Sequence, residues 1–265
     1  CNRSQLGANL VWYLSNGSRK AMKYMQKAIA ILGITTTLGG IASVACAVPK
    51  TSGVLARNET GTQYHRLKAL KTPKTAEDWF NRGLERSESG DYQSAIDDFT
   101  KVLQLDPNFI EAYCNRGLAL AMLGNMPGAI ADFNGALQVN PNHADAYNKR
   151  GNARAALGEL RAAVEDFNQA LKIDSNFVDA YYNRGLTRNQ MGDKQGALAD
   201  YDRALQLNPN LAEAYGSRGL IRNQMGDKQG ALADFQTAAQ LFQQQGDLAS
   251  YQQTQQYIRQ LQPFR

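Results

Sequence analysis

The sequence predicts an all-α fold made of stacked helix pairs, and three observations predict it. From Ala76 onward the chain copies itself every 34 residues, and the phase never slips. Each copy holds two segments with helical apolar spacing, divided by a glycine and closed by a proline or a polar turn. No stretch after residue 75 shows the alternation of a half-buried strand. A period of this length marks arrays in which a unit can bury its apolar side only against its neighbours.

Composition narrows the function classes. The chain has 265 residues, 43% of them hydrophobic, with a formal net charge of +5. That charge divides sharply by region. Residues 1–75 hold 11 Lys/Arg and one acid, Glu59, whereas residues 76–265 hold 18 Lys/Arg and 23 Asp/Glu. The repeated part is therefore mildly acidic, which argues against a nucleic-acid partner. Of the three cysteines, Cys1, Cys46 and Cys114, two lie in the first 47 residues. A disulfide scaffold is not expected.

The elements follow in chain order. The first residue is Cys1, and Met22 and Met25 are the natural start candidates, so residues 1–21 are expected to fall outside the native protein or to form a cytoplasmic n-region. Lys23 and Lys27 precede an uncharged run from Ala28 to Val48 that contains Ala45-Cys46-Ala47. A basic start, an apolar run and a small-x-small end predict a signal peptide over 22–47, cleaved after Ala47. Two alternatives stay open. The 21-residue run 28–48 could remain as an anchor, with Arg19, Lys20, Lys23 and Lys27 on the cytoplasmic side. Cys46 could also carry a lipid, because Ser43-Val44-Ala45 loosely resembles a lipobox. All three place the rest of the chain outside the cytoplasm, in the periplasm or another extracytoplasmic space. Residues 48–75 carry Pro49, Pro73 and six basic residues, and are expected to form a mobile linker with a transient helix around Tyr64–Lys71.

The five units are 76–109, 110–143, 144–177, 178–211 and 212–245. The stretch Arg188–Asp200 recurs unchanged as Arg222–Asp234. An aromatic opens each first helix: Trp79, Tyr113, Tyr147, Tyr181, Tyr215. Four residues later comes Gly83, Gly117, Gly151, Gly185 or Gly219, where a missing side chain lets two helices approach. A second glycine, first seen at Gly90, suits the left-handed turn that ends the helix. Ala95, Ala129, Ala163, Ala197 and Ala231 follow, and four residues on stand Phe99, Phe133, Phe167, Tyr201 and Phe235. Pro107, Pro141 and Pro209 stop the second helix, with Ser175 in the third unit.

This order of aromatic, glycine, glycine, alanine, aromatic and proline resembles the tetratricopeptide repeat (TPR), over about 170 of the 265 residues. The chain departs from that pattern at one place, where Arg82, Arg116, Arg150, Arg184 and Arg218 replace an apolar residue before the first glycine. The resemblance implies a right-handed superhelical α-solenoid of five helix pairs with a concave inner face that binds a partner. After Gly246 and Asp247 a last helix is expected to reach about Leu261. Leu248, Tyr251, Ile258 and Leu261 would cap the apolar face of the fifth pair, within 246–262.

Candidate chemistry is sparse. An Asp precedes each second aromatic: Asp98, Asp132, Asp166, Asp200, Asp234. With the five recurring arginines these suggest either a ladder of pairs holding register or a ligand-binding row. Each first helix also opens with an acid: Glu77, Glu111, Asp145, Asp179, Glu213. Such acids complement the helix dipole. In the family the same positions tend to face the groove, so the resemblance implies a second reading. There these acids, with Asn81, Asn115, Lys149, Asn152 and Asn183, read a ligand's backbone and basic side chains. Some members of the family clamp a C-terminal carboxylate. The closest frame here offers Asn148, Asn152 and Asn183, then Glu213 and Ser217, so the basic residues are missing and an acidic tail would meet the wrong charge.

His65 and His143 stand apart in sequence, outside any His-x-x-x-His or Cys-x-x-Cys arrangement, and are expected to be surface residues. Cys114 is expected to pack rather than react. No phosphate-binding glycine loop follows a strand and no Ser-His-Asp set can be built, so neither a metal, nor a cofactor, nor a catalytic role is expected. These features predict a non-catalytic scaffold that binds a protein or peptide. The alternatives are a membrane-held assembly factor, with Ala28–Val48 as its anchor, and a regulatory fragment of an enzyme.

Overall fold

A computed structural model describes residues 73–262. The readings of residues 1–72, including the leader and linker, lie outside the described residues. Eleven helices run through the described part: α1 Ala76–Ser89, α2 Tyr92–Leu105, α3 Ile110–Met122, α4 Met126–Val139, α5 Ala144–Ala156, α6 Leu160–Ile173, α7 Val178–Gln190, α8 Lys194–Leu207, α9 Ala212–Gln224, α10 Lys228–Gln244 and α11 Leu248–Leu261. No strand occurs among the described residues, and no helix there is long and apolar enough to cross a membrane.

Local chemistry sets the boundaries. Thr75 starts α1 with a capping box: its side chain accepts the Asp78 N–H, and Asp78 reaches back to the Thr75 N–H. At the far end Gly90 adopts φ 84°, where a side chain would be strained. Its N–H donates to Ser87 O and the Asp91 N–H to Arg86 O, the two bonds of a Schellman ending. Asp91 at once caps the next helix by accepting the Ser94 N–H. The same left-handed glycine closes each later first helix, at Gly124, Gly158, Gly192 and Gly226, so each pair turns back within a few residues. Asp106, Asn140, Asp174 and Asn208 end the second helices, each side chain accepting the N–H two residues on.

Packing within a pair rests on one recurring contact. A Cβ on Gly83 would lie 2.6 Å from Phe99 Cε1, and the other four first glycines meet the second aromatic of their own pair in the same way. Phe99, Phe133, Phe167, Tyr201 and Phe235 are buried with Ala95, Ala129, Ala163, Ala197 and Ala231 beside them. Each ring fills the space the glycine leaves.

Packing between pairs rests on the arginines. Arg116 grips Asp132 through Nε and Nη2, at 2.8 and 2.6 Å, while its Nη1 donates to Thr100 of the preceding pair at 3.0 Å. Arg150, Arg184 and Arg218 repeat the fork, each with Nη1 at 2.6 Å from Asn134, Asn168 and Asp202 respectively. A second arginine, Arg86, Arg154, Arg188 or Arg222, joins the same carboxylate in four pairs, and Leu120 takes its place in the second. The guanidiniums also lie over the opening aromatics, as Arg82 over Trp79 at 4.5 Å and Arg150 over Tyr147 at 5.2 Å. The Asp98 hydrogen bond holds Arg82 further into its charged range than usual. The arginine row is thus a register device that ties each pair to itself and, from the second pair on, to the one before it.

Successive first helices touch one another more than successive second helices do, so the stack curves with α1, α3, α5, α7 and α9 on its inner side. At the C-terminal end α11 covers α10. Ile258 and Thr254 are buried, and Tyr251, Tyr257 and Leu261 pack on Phe235 or its surroundings, with Phe235 and Tyr257 stacked at 5.2 Å. The expectation for Leu248 fails, since it is 64% exposed. The buried stripe of α11 is centred on Thr254 and Ile258, and Leu248 falls on its flank.

Candidate functional site: the face of the first helices

With the arginine row engaged in register, the chemistry left for a partner lies along the inner side of the first helices. Residues i, i+3, i+4 and i+7 share one face of a helix. Counted from the opening acids, these sets are Asp145, Asn148, Lys149 and Asn152 on α5; Asp179, Tyr182, Asn183 and Leu186 on α7; and Glu213, Gly216, Ser217 and Leu220 on α9. All five opening acids do stand in the first turn of their helices, where the dipole favours them.

The predicted residues fare differently. Glu77, Asn81 and Glu111 are exposed on α1 and α3. Asn115 is half-buried and returns its Nδ2 to Glu111 O at 2.8 Å. Lys149 is bound to the Asp145 carboxylate on its own helix. Asn152 and Asn183 are buried at 4% and 9% exposure, which corrects their reading as open groove residues. Asn183 Nδ2 instead donates to Asn148 Oδ1 at 3.1 Å, tying α7 to α5. A buried amide needs a partner, and the neighbouring first helix supplies it.

Asp179 and Glu213 are the exceptions. No ion pair of the described residues includes either one. Burial raises the Asp179 carboxyl above its ordinary range, with Asp145 adding to the rise and Lys149 easing it. Burial also raises Glu213, with Asp247 and Asp179 contributing. Both acids are thus desolvated and face like charges.

Sequence reading missed what surrounds them. Tyr182 lies half-buried on α7, its hydroxyl 3.5 Å from Ser217 Oγ on α9. Gly216 occupies the position held by Phe80, Cys114, Asn148 and Tyr182 in the other units, and a Cβ there would meet nothing within 4 Å. The α7–α9 contact is accordingly the sparsest between neighbouring first helices. Beneath lies Tyr201, wholly buried against Tyr182 with ring centroids 5.8 Å apart. Its hydroxyl has no hydrogen-bond partner among the described residues. The visible signals were Gly216 and Tyr201 themselves, each breaking a column that is otherwise filled or otherwise Phe.

The structure also corrects the reading of His143 as an isolated surface residue. Stacking of α5 on α3 brings Cys114, His143 and Asp145 together, with donor atoms within 4.8 Å of one another. His143 Nδ1 accepts the Ala146 N–H at 3.1 Å and caps α5, and the Asp145 carboxylate holds Lys149. A metal there would have to displace the cap and compete with an ammonium group. Cys114 is buried among Ala136, Leu137 and Ala146.

Family models now meet this geometry. Descriptions of the TPR or tetratricopeptide repeat match residues 83–124 and 151–192, residues 110–143 and 178–211, and residues 197–254. The chain belongs to the tetratricopeptide-repeat family. Solved TPR structures resemble it in fold. The crystal structure of MamA is 27% identical, covers 62% of this chain and 96% of its own, and superposes with a TM-score of 0.56. TTC0263, a thermophilic TPR protein of Thermus thermophilus, is 20% identical, covers 69% and 99%, and gives 0.59. YrrB, described as a TPR protein with an unusual peptide-binding site, is 19% identical, covers 69% and 92%, and gives 0.51. No curated protein matches the sequence.

Proposed function

We propose that this TPR protein is a non-catalytic scaffold that holds an extended segment or a helix of a partner protein along the inner face of α1, α3, α5, α7 and α9. One observation carries the reading. The repeated charged groups are absorbed in repeat-to-repeat register, so the first-helix face is left as the continuous surface whose side chains differ from unit to unit. A surface that varies on a constant frame suits recognition rather than turnover. The inner face is polar and acidic toward its C-terminal half, so the partner segment meets carboxylates and amides there rather than an apolar trough.

Display of a random peptide library on the full chain supplies ligands for the test. A photo-crosslinking side chain placed at Asn115 or Leu220, on first helices, is expected to capture a selected peptide. The same group at Asp97 or Glu165, exposed on second helices, is expected not to. Capture from the second helices alone would overturn the reading.

The leader places this binding outside the cytoplasm in the same proposal. It rests on the sequence of 22–47 and on nothing in the fold. A mature N-terminus at Val48 supports it, and an intact leader in a cytoplasmic fraction refutes it.

A further inference from the structure

We infer that the cleft between α7 and α9 is a subsite for the guanidinium or ammonium group of a basic partner segment, with Asp179 and Glu213 taking the charge. The inference rests on the groove reading above and names the chemistry of its ligand. Four independent features of the cleft point the same way.

The first is charge. Asp179 and Glu213 are half-buried among like charges, Asp145 beside Asp179 and Asp247 beside Glu213, and among the described residues neither has a cation within ion-pair distance, Lys149 easing Asp179 from further off. A cation between them relieves both penalties at once. The second is space. Gly216 removes a side chain at the position that Phe80, Cys114, Asn148 and Tyr182 fill elsewhere, and a Cβ there would meet nothing within 4 Å.

The third is an unused polar atom. The Tyr201 hydroxyl is wholly buried beside Tyr182 and Ser217, with no hydrogen bond formed among the described residues. It can accept a hydrogen bond from a guanidinium N–H, whereas a carboxylate ligand would meet two like charges. The fourth is a wall for the stem. Leu220 lies one turn beyond Gly216 on α9 and is 37% exposed, an apolar surface for the methylenes of a long basic side chain.

Fluorescence anisotropy on the full chain tests this with two labelled octapeptides, one alternating arginine and serine and one alternating glutamate and serine. The arginine peptide is expected to bind and the glutamate peptide not. Affinity should fall at least tenfold in Asp179→Asn/Glu213→Gln and in Gly216→Leu, which fills the cleft. It should fall severalfold in Tyr201→Phe. Asp97→Asn/Glu165→Gln removes the same charge from exposed second-helix positions and should change affinity less than twofold. Helical circular dichroism and melting of each variant establish that it is folded. Equal weakening by the second-helix pair would reduce the effect to general acidity and overturn the subsite, as would unchanged affinity in the cleft variants. A library-selected peptide that crosslinks from Asn115 and Leu220, yet ignores the Asp179/Glu213 change, overturns the basic subsite and leaves the groove standing. If no selected peptide crosslinks from the first helices, the groove reading itself falls.

Discussion

Single residues decide where this chain is tight and where it is open, and two glycines of α7 and α9 make the contrast. Gly185 lies over Tyr201, and a Cβ there would sit 2.7 Å from Cε1 of the ring. Gly185→Ala is expected to cost about 1–3 kcal/mol, because the buried ring must shift in a filled core. Gly216 has nothing within 4 Å of the same atom, so Gly216→Ala is expected to stabilise by up to about 1 kcal/mol through helix propensity. Urea unfolding of the two variants side by side should give opposite signs. Tyr201→Phe belongs to the same scale. Removing a buried hydroxyl that lacks a partner is expected to stabilise the protein by roughly 1–2 kcal/mol, read as a higher urea midpoint. A lower midpoint would mean that the hydroxyl has a partner in solution.

Between elements, the ladder of arginines and aspartates sets register. Asp166 receives Arg150 at 2.6 Å and Arg154 at 2.8 Å, and Arg150 extends its third nitrogen to Asn134 on α4. From the second pair on, each carboxylate therefore links its own pair and, through the shared guanidinium, the pair before it. Removing it strands two cations that remain only partly in contact with water. Asp166→Ala is expected to cost roughly 3 kcal/mol, the low end for breaking a buried pair, since both arginines can turn toward solvent. In a linear array the loss should also broaden the unfolding transition, as α5–α6 becomes a weak joint. Asp132 has one arginine where the others have two, because Leu120 packs on the apolar side instead, so Asp132→Ala should cost less than Asp166→Ala. At the end of the stack α11 does for α10 what the next pair does elsewhere, covering Phe235 and Ala239 with Tyr257 and Ile258.

Across the whole molecule, electrostatics separates the stack from its inner face. Every carboxylate of the ladder holds one or two arginines, whereas no ion pair of the described residues includes Asp179 or Glu213 on the inner face. Asp179 faces Asp145 and Lys149 on α5, and Glu213 faces Asp247 at the start of α11 and Tyr182 on α7. Both carboxyls titrate above their unfolded values, so their neutral forms favour folding. That contribution is fully present below the ordinary carboxylate range, about pH 4, and is lost as pH rises through the raised values. Asp179→Asn/Glu213→Gln is therefore expected to melt higher than the parent near neutral pH, with the gap closing on acidification. Thermal melts from pH 3.5 to about 7.5 would show it, and a constant gap would refute it.

Sequence alone determined the helices, their pairing and their order, because a 34-residue rhythm of Gly, Ala and aromatic residues admits one way to bury its apolar side. It also offered the Arg–Asp pairs as one of two readings, a register ladder or a ligand-binding row, and the stacked helices decided for the ladder. Tertiary structure decided which polar groups remain for a partner. Asn148 and Asn183, Cys114 and His143, Tyr182 and Ser217 lie on different helices and meet only when first helices stack at the observed curvature. Exposure and desolvation depend on that stacking, which is why two acids in an otherwise regular row stand apart from the rest.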